Sequence, residues 1–263
     1  MLRERVLSAV VFVPIVVAAF YFGGAMFYVF LGALAFLGGL EYREMLRKKD
    51  VEIHAAFPFL AAIVAASSAA RPWAITVALV GAAMIVLVLG LWRGGFASAV
   101  GGLAGLVYLG AFAALLGVLR GAFGGRQWAF LVLGATWATD VVAYFVGSFA
   151  GRRRIAPGIS PGKTWEGAVS GVIAASLAAY GLSRLWEMDP LFALMAGALL
   201  GVAAELGDLV ESALKRFAGV KDSGKIIPGH GGVLDRFDSL LFSGATGLFL
   251  HLLYRILILG RIP

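Results

Sequence analysis

Cysteine is missing from the chain, which excludes disulfides, thiolate metal centres and cysteine nucleophiles. Charge is scarce: 14% of residues are Asp, Glu, Lys or Arg, where a soluble domain carries about 25%. Histidine occurs three times, and His54 and His251 stand alone with no metal-ligand spacing around them. There is no internal repeat, no low-complexity tract and no polar stretch long enough to form a separate soluble domain.

What remains is oil. Hydrophobic residues make up 61% of the 263 and mean hydropathy is +0.92. Apolar runs of about 17–22 residues, the length that crosses a bilayer, recur from end to end. They predict an all-α, polytopic integral membrane protein with about nine transmembrane helices, near 6–22, 25–41, 56–70, 73–92, 99–119, 128–149, 167–186, 190–210 and 240–259. All of 1–263 then forms a single membrane-embedded domain. The first run is long for a signal peptide and leads almost directly into the second, so it reads as an uncleaved span. The third is short for a bilayer, with a re-entrant segment as the alternative. The 36 glycines suit close helix packing in lipid, and would equally suit a channel with glycine hinges.

With nine spans, 16 of the 22 Lys and Arg residues fall on the side of the N-terminus. The positive-inside rule puts that side, and its polar loops, in the cytoplasm of a multi-pass cell (inner) membrane protein. The same loop bias accounts for the net charge of +7 without a nucleic-acid partner.

Three polar groups collect there. The densest is Ser212–Asp238, SALKRFAGVKDSGKIIPGHGGVLDRFD, between the last two spans. It sets Lys215, Arg216, Lys221, Lys225 and Arg236 beside Asp222, Asp235 and Asp238, with His230 among glycines. Cations suit a polyphosphate, acids are hard ligands for Mg²⁺, and Gly231 and Gly232 let backbone N–H groups approach an anion. The second is 151–166, GRRRIAPGISPGKTWE, a basic loop with turn residues. It enters the seventh span at Thr164, a natural N-cap, and sets Lys163 beside a helix N-terminus. The arginines equally suit a plain interfacial anchor.

The third group is acids in or at the ends of spans. Asp140 lies mid-span, where a charge costs at least roughly 2.5–3.5 kcal/mol and so faces a cavity, a partner or an ion. Thr136, Asp140, Tyr144 and Gly147 share one helical face, as do Glu205, Asp208, Ser212 and Lys215. Glu41, Arg43, Glu44, Arg47, Lys48 and Lys49 read as a solvated helix end.

The order S-x-L-K-R-x₄-K-D-x-G-x₂-I-P-x-H-G-G-V-x-D-R-F-D resembles the signature of the phosphatidate cytidylyltransferases (CDP-diacylglycerol synthases). S-P-x-K-T-W-E-G at 160–167 resembles a second block of that family, with Gly162 where lysine is common. The resemblance implies that CTP and phosphatidate yield CDP-diacylglycerol and pyrophosphate in phospholipid biosynthesis. It also implies a homodimer. Nucleotidyl transfer depends on positioning and charge neutralisation, and a phosphate monoester needs no strong general base.

Asp235 and Asp238 are the expected Mg²⁺ ligands, helped by Asp208 and Asp140, with a second cation as the two-metal alternative. Lys215, Arg216, Lys221 and Lys163 are expected to neutralise phosphate. Thr164, Ser212, His230, Gly231, Gly232 and Arg236 are expected to contact substrate, Arg236 alternatively pairing with an aspartate. Asp222 reads equally as ligand or lysine partner. A CTP-dependent polyprenol kinase would use similar groups. A secondary transporter would use Asp140 and Glu205 for ion coupling, but most charges cluster in one connection rather than at mid-depth. On this reading Asp235→Asn abolishes turnover in protein that still folds and inserts; retained activity above about a tenth of wild type would exclude Asp235 as a metal ligand.

Overall fold

The computed structural model describes residues 2–70, 72–227, 229 and 231–260. Its helices are α1 (Leu2–Phe22), α2 (Gly24–Arg47), α3 (Phe57–Ala66), α4 (Pro72–Gly105), α5 (Phe112–Gly121), α6 (Gly125–Ala150), α7 (Trp165–Leu185), α8 (Pro190–Ala218) and α9 (Leu234–Leu257). A 3₁₀ turn, Ser67–Ala69, extends α3, and a π-helical segment, Leu106–Ala111, joins α4 to α5. The basic loop of the sequence reading contains an antiparallel hairpin, β1 (Arg154–Ala156) and β2 (Ser160–Thr164), turned at Pro157-Gly158.

Among the described residues, six helical segments are long and apolar enough to cross a bilayer: Gly24–Arg47, Trp73–Gly121, Gly125–Ala150, Trp165–Leu185, Pro190–Ala218 and Leu234–Leu257. Two apolar helices are shorter, Val10–Phe22 and Phe57–Ala69, where the first and third spans were expected. The chain is an all-α, polytopic membrane protein.

The 49 residues of Trp73–Gly121 would measure about 74 Å as one straight helix, more than twice the hydrocarbon core. The segment instead reverses at Gly95, whose φ of 73° and ψ of −166° are open to glycine and strained for other residues. A Cβ on Gly90 would lie 2.6 Å from the Ala99 Cα, and one on Gly102 2.5 Å from a Val86 methyl. The two arms therefore lie side by side, and they are the fourth and fifth expected runs.

The chain divides into two compact units, Met1–Gly121 with Leu214–Phe237, and Ala122–Ala213 with Asp238–Pro263, so the boundaries fall inside α8 and α9. In the first unit α2 is held on several sides. Gly39 lets Pro58 of α3 approach, at 3.0 Å from a notional Cβ. The Tyr42 hydroxyl donates to the Gly101 carbonyl at 2.8 Å. Phe20 meets Phe27 edge-on at 5.0 Å, and Phe237 meets Phe12 and Phe30 at 5.3 and 5.5 Å. Arg120 closes the end of α1 by donating to the Phe20 and Tyr21 carbonyls at 2.7 and 2.9 Å.

The second unit is zipped by small residues. Gly167, Gly171, Ala175, Ala179 and Ser183 form the buried stripe of α7. Across it, a Cβ on Gly171 would touch the Thr139 carbonyl of α6 at 3.0 Å, and one on Gly197 of α8 the Ala175 carbonyl at 2.6 Å. Helices in lipid gain little by hiding apolar surface from each other, so close backbone approach supplies the attraction. Gly197→Val therefore forces α8 off α7 and should cost about 1–3 kcal/mol, read as a lower melting temperature in detergent. Gly181→Ala, with nothing within 4 Å of its Cβ, should not lower it.

Candidate active site

One glycine brings the acids of the second unit together. A Cβ on Gly207 of α8 would lie 2.6 Å from the Asp238 carbonyl and 3.0 Å from the Ser239 Cα of α9. Its absence lets the two helices touch backbone to backbone. Asp208 follows Gly207, and Glu211 lies three residues on, on the same face of α8. Carboxylate oxygens of Asp208, Glu211 and Asp238 lie within 4.8 Å of one another. Glu211 is fully buried and Asp238 nearly so.

Three like charges at that spacing repel strongly away from water, and only protons or a cation make the arrangement tolerable. All three donors are hard oxygens from two rigid helices, a set that fits a divalent ion such as Mg²⁺. The remaining contacts orient the set. The Ser212 hydroxyl donates to Asp208 Oδ1 at 3.3 Å, and the Ser239 backbone N–H to Asp238 Oδ1 at 2.7 Å. The Ser239 hydroxyl lies 3.4 Å from Asp140 Oδ1, and Asp140 is itself accessible.

Lys163, on β2, reaches the same group. Its ammonium lies 2.5 Å from Glu205 Oε2, 3.0 Å from the Glu205 carbonyl and 3.0 Å from Asp208 Oδ2. Burial pushes its pKa down, but the Asp208 and Glu205 carboxylates more than offset this and hold it above the ordinary lysine value. It therefore stays charged at neutral pH. The hairpin carrying it is fastened at both ends. Thr164 caps α7 by accepting the Gly167 N–H at 3.2 Å. Glu166 accepts the Arg152 and Arg153 N–H groups at 3.0 and 3.2 Å.

In the first unit the signature folds around Asp235. Its Oδ1 accepts from Lys215 at 2.6 Å. Its Oδ2 accepts from the Ser223 N–H and hydroxyl at 2.9 and 2.8 Å and from the Gly232 N–H at 2.8 Å. Gly231, at φ 87°, and the Ile227–Gly231 bridge complete the loop. Arg216, Lys221, Asp222 and Arg236 are exposed. Arg216 donates to the Val220 carbonyl at 3.2 Å. His230 lies outside the described residues.

These placements differ from the sequence reading in three respects. Asp235, expected as a metal ligand, has both oxygens engaged by Lys215 and the loop, while Asp238 joins Asp208 and Glu211. Glu211 was missed, although its i+3 spacing from Asp208 was the available signal. Glu41 needs correction. It is 5% exposed rather than solvated, and it shares the buried stripe of Leu34, Gly38 and Met45 on α2.

The model of the cytidylyltransferase family matches residues 3–257. The chain belongs to the cytidylyltransferase family. It is 36% identical over 280 aligned residues to the phosphatidate cytidylyltransferase of Pseudomonas aeruginosa, covering 97% of both chains. To that of Brucella abortus it is 34% identical over 254 residues, 93% of this chain and 91% of the relative. A stretch of 120 residues is 48% identical to the Bacillus subtilis enzyme, 45% of each chain. As a cytidylyltransferase the protein transfers a nucleotidyl group, so cations and a site for a divalent metal have a use.

The geometry makes a direct prediction. Wild-type protein should bind Mn²⁺, followed by electron paramagnetic resonance. Glu211→Gln should weaken that binding, and Gly207→Val, which wedges α9 away from α8, should abolish it.

Proposed function

We propose that the protein is a phosphatidate cytidylyltransferase, forming CDP-diacylglycerol and pyrophosphate from CTP and phosphatidate at a membrane. The observation that carries this reading is the convergence of Asp208, Glu211 and Asp238 beside Lys163, in a chain whose full-length relatives bear that activity. A phosphate oxygen of phosphatidate forms a bond to the α-phosphorus of CTP, and the bond to the β-phosphate oxygen breaks, releasing pyrophosphate. Both reactants are anions, so the barrier is mainly electrostatic and geometric.

Asp208, Glu211 and Asp238 would hold Mg²⁺, which when bound draws negative charge from the phosphate oxygens. Asp140 is close enough to Ser239 to orient that edge of the group, or to help hold a second cation. Lys163 is poised on Asp208 and Glu205 and exchanges part of that pairing for substrate phosphate. Arg216, Lys221 and Arg236 supply exposed positive charge for phosphate, and His230, Gly231, Gly232 and Ser212 are the remaining substrate contacts. Thr164 acts through the helix it caps. Lys215 is held to Asp235, and the pair keeps the signature loop in shape, so Asp235 serves the loop rather than the metal. The polar loops face the cytoplasm, where CTP is found, and the diacylglycerol chains stay in the bilayer of the inner membrane.

Incubating the protein with phosphatidate, Mg²⁺ and CTP labelled on the α-phosphate should give a labelled CDP-lipid. The product should disappear with EDTA and with Asp238→Asn. Label entering lipid only from the γ-phosphate of CTP would instead identify a lipid kinase.

A further inference from the structure

Glu41 belongs to α2, far in sequence from the signature, yet its carboxylate ends inside the signature loop. Its Oε1 accepts the Val233 N–H at 3.0 Å; its Oε2 accepts the Leu234 N–H at 2.9 Å and the Ser223 hydroxyl at 3.1 Å. Leu234 is the first residue of α9, so these N–H groups are the ones a helix start leaves without internal partners. A carboxylate there satisfies them and meets the positive end of the helix dipole. The cap comes from another helix, about 190 residues away in the chain.

The fit is tight. A Cβ on Gly232 would lie 2.5 Å from Glu41 Oε2, and one on Gly224 would also strike the carboxylate. The loop is therefore glycine on both sides of Glu41 because its backbone is drawn down onto that carboxylate. Tyr42, Gly39 and the phenylalanine cluster hold α2 still, so the anchor is rigid.

We propose that Glu41 is a positioning residue of the transferase: from α2 it fixes Ser223, Val233 and Leu234, and so the presentation of the signature's residues to CTP. The proposal rests on the cytidylyltransferase reading for its consequence but not for its geometry. A glutamine at 41 would turn an N–H₂ group toward a backbone N–H, leaving one helix-start donor facing another donor. The loop then loosens while the rest of the unit keeps its packing.

The test compares full-length wild type, Glu41→Gln and, as a control from the exposed end of the same helix, Arg47→Ala, all in detergent. Two quantities are read: CDP-lipid formation against CTP concentration, and the rate of tryptic nicking after the exposed Lys221 and Lys225. Glu41→Gln should raise the KM for CTP and lower kcat/KM by up to about a hundredfold, the cost of roughly 1 Å of misplacement. It should also speed nicking, with Arg47→Ala unchanged in both. A merely smaller folded fraction would lower the maximal rate and leave the KM where it was, and that result overturns the proposal. So does a Glu41→Gln protein whose KM and nicking both match wild type. If Glu41→Gln does not fold, Ser223→Ala removes one of the same contacts and is judged by the same criteria. Wild type that makes no CDP-lipid would defeat the transferase reading, while nicking would still decide whether Glu41 holds the loop.

Discussion

A charge among apolar helices must be answered by another charge or by a well-aimed hydrogen bond, because the surroundings supply almost none of the solvation that water would. The polar architecture of this chain follows from that requirement. Lys215 and Asp235 neutralise each other, Glu41 is answered by backbone N–H groups, and Lys163 lies between Glu205 and Asp208. Where Asp208, Glu211 and Asp238 meet, three carboxylates crowd together, with oxygens within 4.8 Å of one another. Such a cluster of hard oxygen donors is where a divalent cation is of most use.

Glycine is the means by which these groups meet. Polar side chains are short compared with helix diameters, so two helices must nearly touch before an aspartate on one and a glutamate on the other can share a ligand. Gly207 does this for α8 and α9, while Gly171, Gly197 and Gly201 bring α6, α7 and α8 together. In the other unit Gly224 and Gly232 do the same for a loop against a carboxylate. The glycine content noted in the sequence is thus partly architectural and partly chemical, and composition alone does not separate the two.

Much of this was legible in the sequence, and for identifiable reasons. The apolar runs predicted the helices because hydropathy over about 20 residues is what a bilayer requires. The reversal at Gly95 falls between the expected runs 73–92 and 99–119, whereas the hairpin at 154–164 was visible only as turn residues, since its pairing is a matter of register. In the polar site, Lys163, Asp208 and Asp238 could be singled out because charges are rare here. Their grouping could not, because Asp235 and Asp238 are close in sequence and yet answer to different neighbours. Glu41 was hidden by its own flank: it begins a run of charged residues at the end of α2, of which Glu44, Arg47, Lys48 and Lys49 do look outward. Its burial depends on Ser223, Val233 and Leu234, which no local pattern connects to it.

The position of Ser223 has a consequence of its own. Its hydroxyl stands 2.8 Å from Asp235 Oδ2 and 3.1 Å from Glu41 Oε2, but a hydroxyl has one proton to give. At any instant one anion is served and the other relies on its remaining donors, which for Glu41 are backbone N–H groups and for Asp235 include Lys215. The two anchors of the loop are therefore arranged as a seesaw, and the pivot is the rotation of a single O–H bond.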